Sequence, residues 1–367
     1  MQIPFFPYPH VFTEHRDDVE AAMNRCLERG AFILQDELEE FERAVGNLAG
    51  VAHVVGVANG TDSLMLALRV ANVGSGDEVI MASHTYVATA AAAHFVGAKP
   101  VLVECREDRL IDPEAVEAAV TDRTRVLMPT QLNGRIADMD ALQAIADRHG
   151  LVIIEDAAQA LGATYRGKSA GTFGLAGSIS LYPAKLLGSF GDGGLLLTDS
   201  ADVARKLRML RDHGRDDEGE VQMWGVNSRL DNLQAAVLLP KLRHYSETIA
   251  RRREIAAIYD AGLRGLEQIG VPPGPNSDPD RMDVYQNYEI EADRRDELRA
   301  HLRERGVGSI IQWGGKPLHR LNGLGLASDA LPYTDRFFER CMLLPMNTAL
   351  TDEELSYIIE QIGSFYG

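Results

Sequence analysis

The sequence predicts an α/β protein with a mostly parallel central sheet flanked by helices, followed by a smaller C-terminal α+β domain. Two observations carry this. From residue 53 onward, short β-rich runs alternate with helix-length stretches, the spacing of parallel βαβ units with right-handed crossovers. Beyond about residue 230 that alternation gives way to one long helical periodicity and then to a β, α, β, α series.

In chain order, "ERGAFILQDELEEFERAVGNLAG" (28–50) reads as two amphipathic helical segments broken at Gly30. Strand and helix then alternate through "HVVGVAN", "TDSLMLALRVA", "DEVIMAS", "YVATAAAAHFVG", "KPVLVE", "PEAVEAAV", "RVLMPTQ", "ALQAIADRHG" and "LVIIEDA". "GSISLYPAK" and "GGLLLTD" follow as further strands. Residues 231–263 read as helix, with a kink or break expected from Pro240. In the last part, "VYQNYEIEA" and "VGSIIQ" read as strands, and "RRDELRAHLRERG", "TDRFFERCMLLP" and "TDEELSYIIEQIGSFY" as helices. The expected division is a large domain at 1–235 and a small one at 236–367.

Composition narrows the class of function. The 367 residues include 37 Lys and Arg against 54 Asp and Glu, a formal charge of −17, which disfavours a nucleic-acid partner. The three cysteines, Cys26, Cys105 and Cys341, form no CxxC and no metal-ligand spacing, which suits a reducing cytoplasm and predicts no metal site. No run of about 18 apolar residues occurs, and "MQIPFFPYPHVFTEH" lacks the plan of a signal peptide. A cytoplasmic protein with no membrane partner is expected.

Three distant stretches carry the chemistry. Leu151 to Ile154 form an unbroken apolar run, as in a central parallel strand, and Glu155 and Asp156 stand at its carboxyl end, where open α/β sheets bind ligands. Successive strand positions face opposite ways, so only one of these acids points into a given pocket. Alone, such a carboxylate does no more than cap the next turn. Asn59, Gly60 and Thr61 in "VANGTDSL" lie between strand and helix, where backbone amides can receive a phosphate. A simple N-cap explains them equally well. Lys185 in "LYPAKLLGSFGDGG" could be an exposed turn residue; in a partly desolvated pocket it would lose its proton readily and attack a carbonyl.

Together the three describe one cofactor. Pyridoxal 5'-phosphate needs a phosphate cradle, a carboxylate that keeps its ring nitrogen protonated, and a lysine that holds its aldehyde. A ring cation beside Asp156 would depress that acid's pKa.

At these residues the sequence resembles the fold-type I pyridoxal phosphate enzymes, and within them the DegT/DnrJ/EryC1/StrS sugar aminotransferases. The motifs are "ANGTDSL", "HTYVATAAA", "ADMDAL", "IIEDAAQALGA", "SLYPAKLLGSFGDGG", "RDHG" and "NSRLDNLQAAVL". The resemblance implies Lys185 as the Schiff-base lysine and Asp156 as partner of the pyridine nitrogen. It places Gln159 near the phenolic oxygen, Tyr86 on the ring, Gly60, Thr61 and Ser180 at the phosphate, and Asn227 reaching the phosphate of the opposite subunit of a homodimer. It also implies transfer of an amino group from an amino acid, usually L-glutamate, to a keto sugar, with pyridoxamine phosphate as the carrier during turnover.

The chain departs from the family where "QLNG" (131–134) replaces the frequent "HLYG" and where "IIQWGGKPLHRLNGLG" lacks a Tyr-Pro segment. Gln131, Asn133, Arg229, Trp313, Lys316 and His319 are the substrate-side candidates, with Arg229, Lys316 and Arg320 available to a diphosphate. A nucleotide-linked sugar is the first expectation; a free keto sugar, a keto sugar acid or a keto cyclitol suits the same machinery. Lys185 argues against a sugar dehydratase, whose relatives carry histidine there, and against a Rossmann oxidoreductase, for which the glycine fingerprint is also missing. A non-catalytic pyridoxal phosphate-binding regulator is the alternative of another class.

Overall fold

The computed structural model describes residues 1–326 and 331–367. Helices α1 (His10–Thr13), α2 (Arg16–Arg29) and α3 (Asp36–Ala49) precede the sheet. Gly30 ends α2 in the left-handed region, φ 65°, a conformation that glycine enters without steric cost. The alternation that follows gives β1 (His53–Val57), α4 (Gly60–Val70), β2 (Glu78–Ala82), α5 (Val87–Phe95), β3 (Lys99–Val103), α6 (Pro113–Ala119), β4 (Thr124–Leu127), α7 (Met139–His149) and β5 (Val152–Asp156). After the small strands β6 (Thr164–Tyr165) and β7 (Lys168–Ser169) come β8 (Ala176–Ser180), β9 (Gly194–Thr198) and α8 (Ala201–Arg211).

These strands form a seven-stranded sheet in the order β1-β9-β8-β5-β4-β2-β3. Only β9 runs against its neighbours, β1 and β8. Alternate side chains enter two different cores: Ile153 and Leu195 pack beneath α3 and α7, while Ile154 and Leu196 pack beneath α4, α5 and α8. A sheet covered on both faces must be apolar at every position, which is why these strands show no polar alternation. All parallel strands end at one edge, so Val57, Asp156 and Ser180 come together there.

The helical stretch 231–263 is broken, and the break lies beyond the proline. Helices α9 (Asn232–Arg243) and α10 (Tyr245–Leu263) meet at His244, with Pro240 inside the last turn of α9. The ring removes a hydrogen bond one turn upstream, and the chain turns where that ladder runs out. The remaining elements are β10 (Ile269–Gly270), β11 (Arg281–Met282), β12 (Tyr288–Ala292), α11 (Arg295–Glu304), α12 (Pro332–Arg340), β13 (Cys341–Leu344) and α13 (Asp352–Tyr366). Strand β11 joins β6 and β7, whereas β10, β12 and β13 form an antiparallel sheet backed by a separate apolar core on α10, α11 and α13.

Two expectations for this region need correction. "TDRFFERCMLLP" is a helix only to Arg340; Cys341–Leu344 is a strand paired with β12. Four buried apolar residues in a row fit a central strand as well as a helix face, and pairing decides between them. "VGSIIQ" forms no strand, only single bridges from Val307 to Ile3 and from Ile310 to Leu343. The first bridge ties the N-terminal segment to the C-terminal core, which contains Ile3.

The glycines after Lys185 let protein backbones approach each other. A β-carbon on Gly194 would stand 2.4 Å from Asn59 O and 2.9 Å from Gly60 N, and one on Gly188 would stand 2.3 Å from Pro183 O. Gly194→Ala is therefore expected to displace the Asn59–Gly60 loop and to lower stability by about 1–3 kcal/mol. Denaturant unfolding measures this, and an unchanged midpoint would contradict the packing described.

Candidate active site

Asp156 is the last residue of β5 and only 4% exposed. Its Oδ2 accepts a 2.6 Å hydrogen bond from Thr89 Oγ1, and its Oδ1 accepts one of 3.2 Å from Ala158 N. Glu155, one residue earlier, faces the other way. It accepts from the amides of Gly171 (2.9 Å) and Phe173 (2.6 Å) and from Gln131 Nε2 (2.7 Å). One acid therefore caps the following turn, and the other is directed into the cavity at the sheet edge.

The cavity has a volume of about 1110 Å³ and is lined by both the large sheet's edge and the C-terminal unit. Lys185 lies in the loop between β8 and β9, its amide donating to Tyr182 O at 2.8 Å. Burial pulls its amine down to about 8, while the charge of Asp156 works in the opposite direction. Burial likewise pushes Asp156 up; Thr89, Ala158 and the Lys185 charge oppose this. The chain's own groups thus do not produce the depressed carboxyl expected beside a ring cation. That depression requires the cation itself.

Asn59 N-caps α4, its Oδ1 accepting from Asp62 N at 2.8 Å. The amides of Gly60 and Thr61, first-turn donors without helical acceptors, lie at the positive end of the helix dipole. Ser180 faces them across the end of β8, and a β-carbon on Gly60 would lie 3.1 Å from Ser180 Cβ. Gln159 lines the same cavity, its Oε1 held by Asn133 N at 2.7 Å. Tyr86, 55% exposed at the start of α5, and Trp313 flank the opening, their ring centres 6.4 Å apart.

Not all of the candidate residues meet here. Gln131 is buried between Glu155 and Ala137 N, which donates to its Oε1 at 2.8 Å. Asn133, at φ 55°, lies one layer back: its Nδ2 donates to Glu289 Oε2 and its Oδ1 accepts from Asn287, each at 2.7 Å. His319 is buried between Ser83 Oγ (2.7 Å) and Asp335 (3.0 Å). Lys316 is exposed and Arg320 pairs with Asp335 on the surface. Arg229 bonds Asp212 at 2.8 Å, and Asn227 is exposed on the hairpin that bridges it to Asp212. None of these six residues after Gln131 lines the cavity.

Sequence reasoning missed Thr89, which holds Asp156 from behind, and several residues that do line the cavity. Thr89 lies three residues beyond Tyr86 in a motif already noted, so helical spacing could have found it. Gln286, Asn287 and Gln312 carry no comparable signal. The aromatic-proline run "PFFPYP" supplies Phe5, Phe6 and Tyr8 to the wall.

The residues fit pyridoxal phosphate: a desolvated amine, a buried carboxylate and free helix-start amides open into one cavity. The sequence matches the DegT/DnrJ/EryC1/StrS aminotransferase family over residues 13–363. The chain belongs to that family. It is 42% identical over 366 residues, 98% of this chain and 95% of the relative, to a dTDP-3-amino-3,4,6-trideoxy-alpha-D-glucose transaminase of Streptomyces venezuelae. It is 38% identical over 371 residues, 100% of this chain and 99% of the relative, to a "Pleiotropic regulatory protein" of Geobacillus stearothermophilus. The crystal structure of S. venezuelae DesV in complex with a ketimine intermediate matches with a TM-score of 0.95 at 41% identity, covering 100% of this chain and 98% of that one. The DegT/DnrJ/EryC1/StrS protein described here is a pyridoxal phosphate-dependent sugar aminotransferase.

Because Asp156 raises the Lys185 pKa, Asp156→Asn should move the amine's titration below its value of about 8 in the cofactor-free enzyme. The pH dependence of labelling by an amine-selective reagent, read at Lys185 by mass spectrometry, measures it. A midpoint that stayed put or rose would show that the two groups do not interact.

Proposed function

We propose that this protein moves an amino group from L-glutamate to a keto sugar carried on a nucleoside diphosphate, in amino-sugar biosynthesis, with Lys185 and Asp156 as its catalytic residues. The observation that carries the reading is the partly buried Lys185 amine in the same cavity as Asp156 and the start of α4. Bound pyridoxal phosphate supplies an electron sink for the carbon that gains or loses nitrogen. Asp156, held by Thr89 and Ala158, would keep the ring nitrogen protonated. Lys185 Nζ would hold the aldehyde and, when free, could take up and return a proton, a task suited to an amine with a pKa of about 8. Gly60, Thr61 and Ser180 would receive the phosphate, Gln159 the phenolic oxygen, and Tyr86 the ring face.

A nucleotide-linked acceptor is supported by the size of the cavity and by the dTDP-sugar named for the S. venezuelae relative. Trp313 belongs to its binding wall. A regulator without catalysis would leave the desolvated lysine without a task; the G. stearothermophilus relative is named only as a regulatory protein.

The working unit is a homodimer with shared sites, in the cytoplasm. Among the described lining residues Lys185 is the one cation, beside Asp62, Asp156 and Asp192, so anionic substrates need cations from elsewhere. The hairpin carrying Asn227 also carries Trp224, 98% exposed, with Val221 and Val226. An apolar tip of this kind suits burial against a second copy, which would bring Asn227 to the other copy's phosphate. Three free, buried cysteines suit a reducing compartment, and no described helix is long and apolar enough to cross a membrane. A small C-terminal unit is supported by its separate apolar core, which takes in Ile3 and residues from Ile255 onward, whereas 235/236 itself falls inside α9, whose Ala235 and Leu238 pack in the core of the large unit.

Borohydride should bleach the visible band of the purified holoenzyme and fix the cofactor's mass on Lys185. After conversion to the pyridoxamine form with glutamate, a nucleotide-linked keto sugar should restore the aldehyde form. Restoration by free keto sugars, keto sugar acids or cyclitols alone would reassign the acceptor, and restoration by keto acids alone would end the sugar reading.

Mixing two inactive variants, Lys185→Ala and Asn227→Ala, tests the shared site. Subunit exchange should regain activity, since mixed dimers contain one site with both residues intact. Activity that stays absent after verified exchange would count against Asn227 acting across the interface.

A further inference from the structure

Lys185 sits in a loop, where nothing in a regular ladder fixes its backbone. Its own amide is taken by Tyr182 O. The peptide groups on either side are taken by one side chain from the C-terminal unit: Gln286 Nε2 donates to Ala184 O at 2.9 Å, and Gln286 Oε1 accepts from Leu186 N at 2.9 Å. The carbonyl before a residue and the amide after it are the pair that a single residue of a neighbouring parallel strand engages. A primary carboxamide offers one acceptor and one donor in a plane, so a single glutamine can serve as that strand.

Gln286 is itself held firmly. It is 8% exposed. Arg252 Nη1, from α10, donates to Tyr285 O at 2.9 Å and to Gln286 O at 3.1 Å. On the other side Val284 N donates to Gly134 O at 2.9 Å, and a β-carbon on Gly134 would stand 2.7 Å from Tyr285 N and 3.0 Å from Gln286 N. The segment 284–286 is thus wedged between α10 and the loop before α7.

We propose that Gln286 is a positioning residue: by bridging Ala184 O and Leu186 N it fixes the backbone of Lys185, so that only the side chain moves between holding the cofactor and carrying the proton. This rests on the reading of Lys185 as the cofactor-binding amine. The fixed backbone sets the direction of the Cα–Cβ bond, and hence the arc that Nζ can sweep. A misplacement of that arc affects proton transfer more than cofactor affinity, which other groups supply.

The test uses holoenzyme and single-turnover reaction with glutamate. Gln286→Leu, similar in size but without either hydrogen bond, should slow the half-reaction by about ten- to a hundredfold, with a much smaller change in cofactor affinity. Gln286→Glu discriminates further. Its neutral carboxyl can both donate and accept, whereas its carboxylate cannot donate to Ala184 O. Its rate relative to wild type should therefore recover as pH falls and decline as pH rises. The charged groups on the surrounding elements, Lys185, Asp156 and Arg252, are common to both proteins, so the ratio isolates the new carboxyl. A folded Gln286→Leu with the wild-type rate would overturn the proposal, as would a Glu variant no faster than the Leu variant at the lowest pH. Should Gln286→Leu fail to fold, a ratio of Glu variant to wild type that is both reduced and independent of pH overturns it. Absence of borohydride labelling at Lys185 in the wild type is a separate result, which overturns the assignment of Lys185 and this inference with it.

Discussion

The rest of the site depends on an opposition between burial and charge at two groups. Removing Lys185 and Asp156 from water favours the neutral form of each, while their mutual attraction favours the charged forms. Neither effect dominates completely for the amine, which is left near 8. An amine at its solution value would be almost wholly protonated at neutral pH, and one further buried would be too weak a base to take up a proton readily. The position of Asp156 therefore tunes Lys185.

That position is set by the carboxylate on the other face. Glu155 accepts from two backbone amides of the turn at 171–173 and from Gln131, which locks the end of β5 in rotation about its own axis. A strand with Glu155 so anchored has no freedom to turn Asp156 elsewhere. Gln131 thus acts on the site through the sheet, from the opposite side to the cavity. Asn133 works similarly, since its amide orients Gln159 and its side chain joins Glu289 to Asn287. The substitutions in "QLNG" lie in the support of the site, a place from which they can adjust the lining without contacting a ligand.

The large sheet and its ligand edge were legible because each strand is buried on both faces and each helix carries a periodic apolar side. Lys185, Asp156 and the Gly60–Thr61 amides were legible because their chemistry is distinctive and the topology leaves them only one edge to occupy. The C-terminal unit was less legible. There, strand identity comes from pairing: Cys341–Leu344 becomes a strand by lying beside Tyr288–Ala292, and "VGSIIQ" lacks a partner for all but two residues. Glutamine and asparagine side chains were least legible, since a carboxamide is informative only when its partners are known. Gln286 stands about a hundred residues from the two peptide groups it bridges.

The start of α4 brings positive potential to a cavity whose described lining holds one cation, Lys185, in a chain of net charge −17. Backbone amides at the start of α4 present a partial positive charge that is fixed in direction and cannot be lost by titration. A lysine or arginine in their place would lower the Lys185 pKa further by like-charge repulsion. It would also compete with Lys185 for Asp156. Amides at this place leave Lys185 coupled mainly to Asp156, and this is why Gly194 must lack a side chain: its absence lets the Asn59–Gly60 loop lie close enough to β9 for those amides to face the cavity. The conformational requirement at the glycines and the electrostatic requirement at the lysine are therefore the same constraint expressed at two places in the chain.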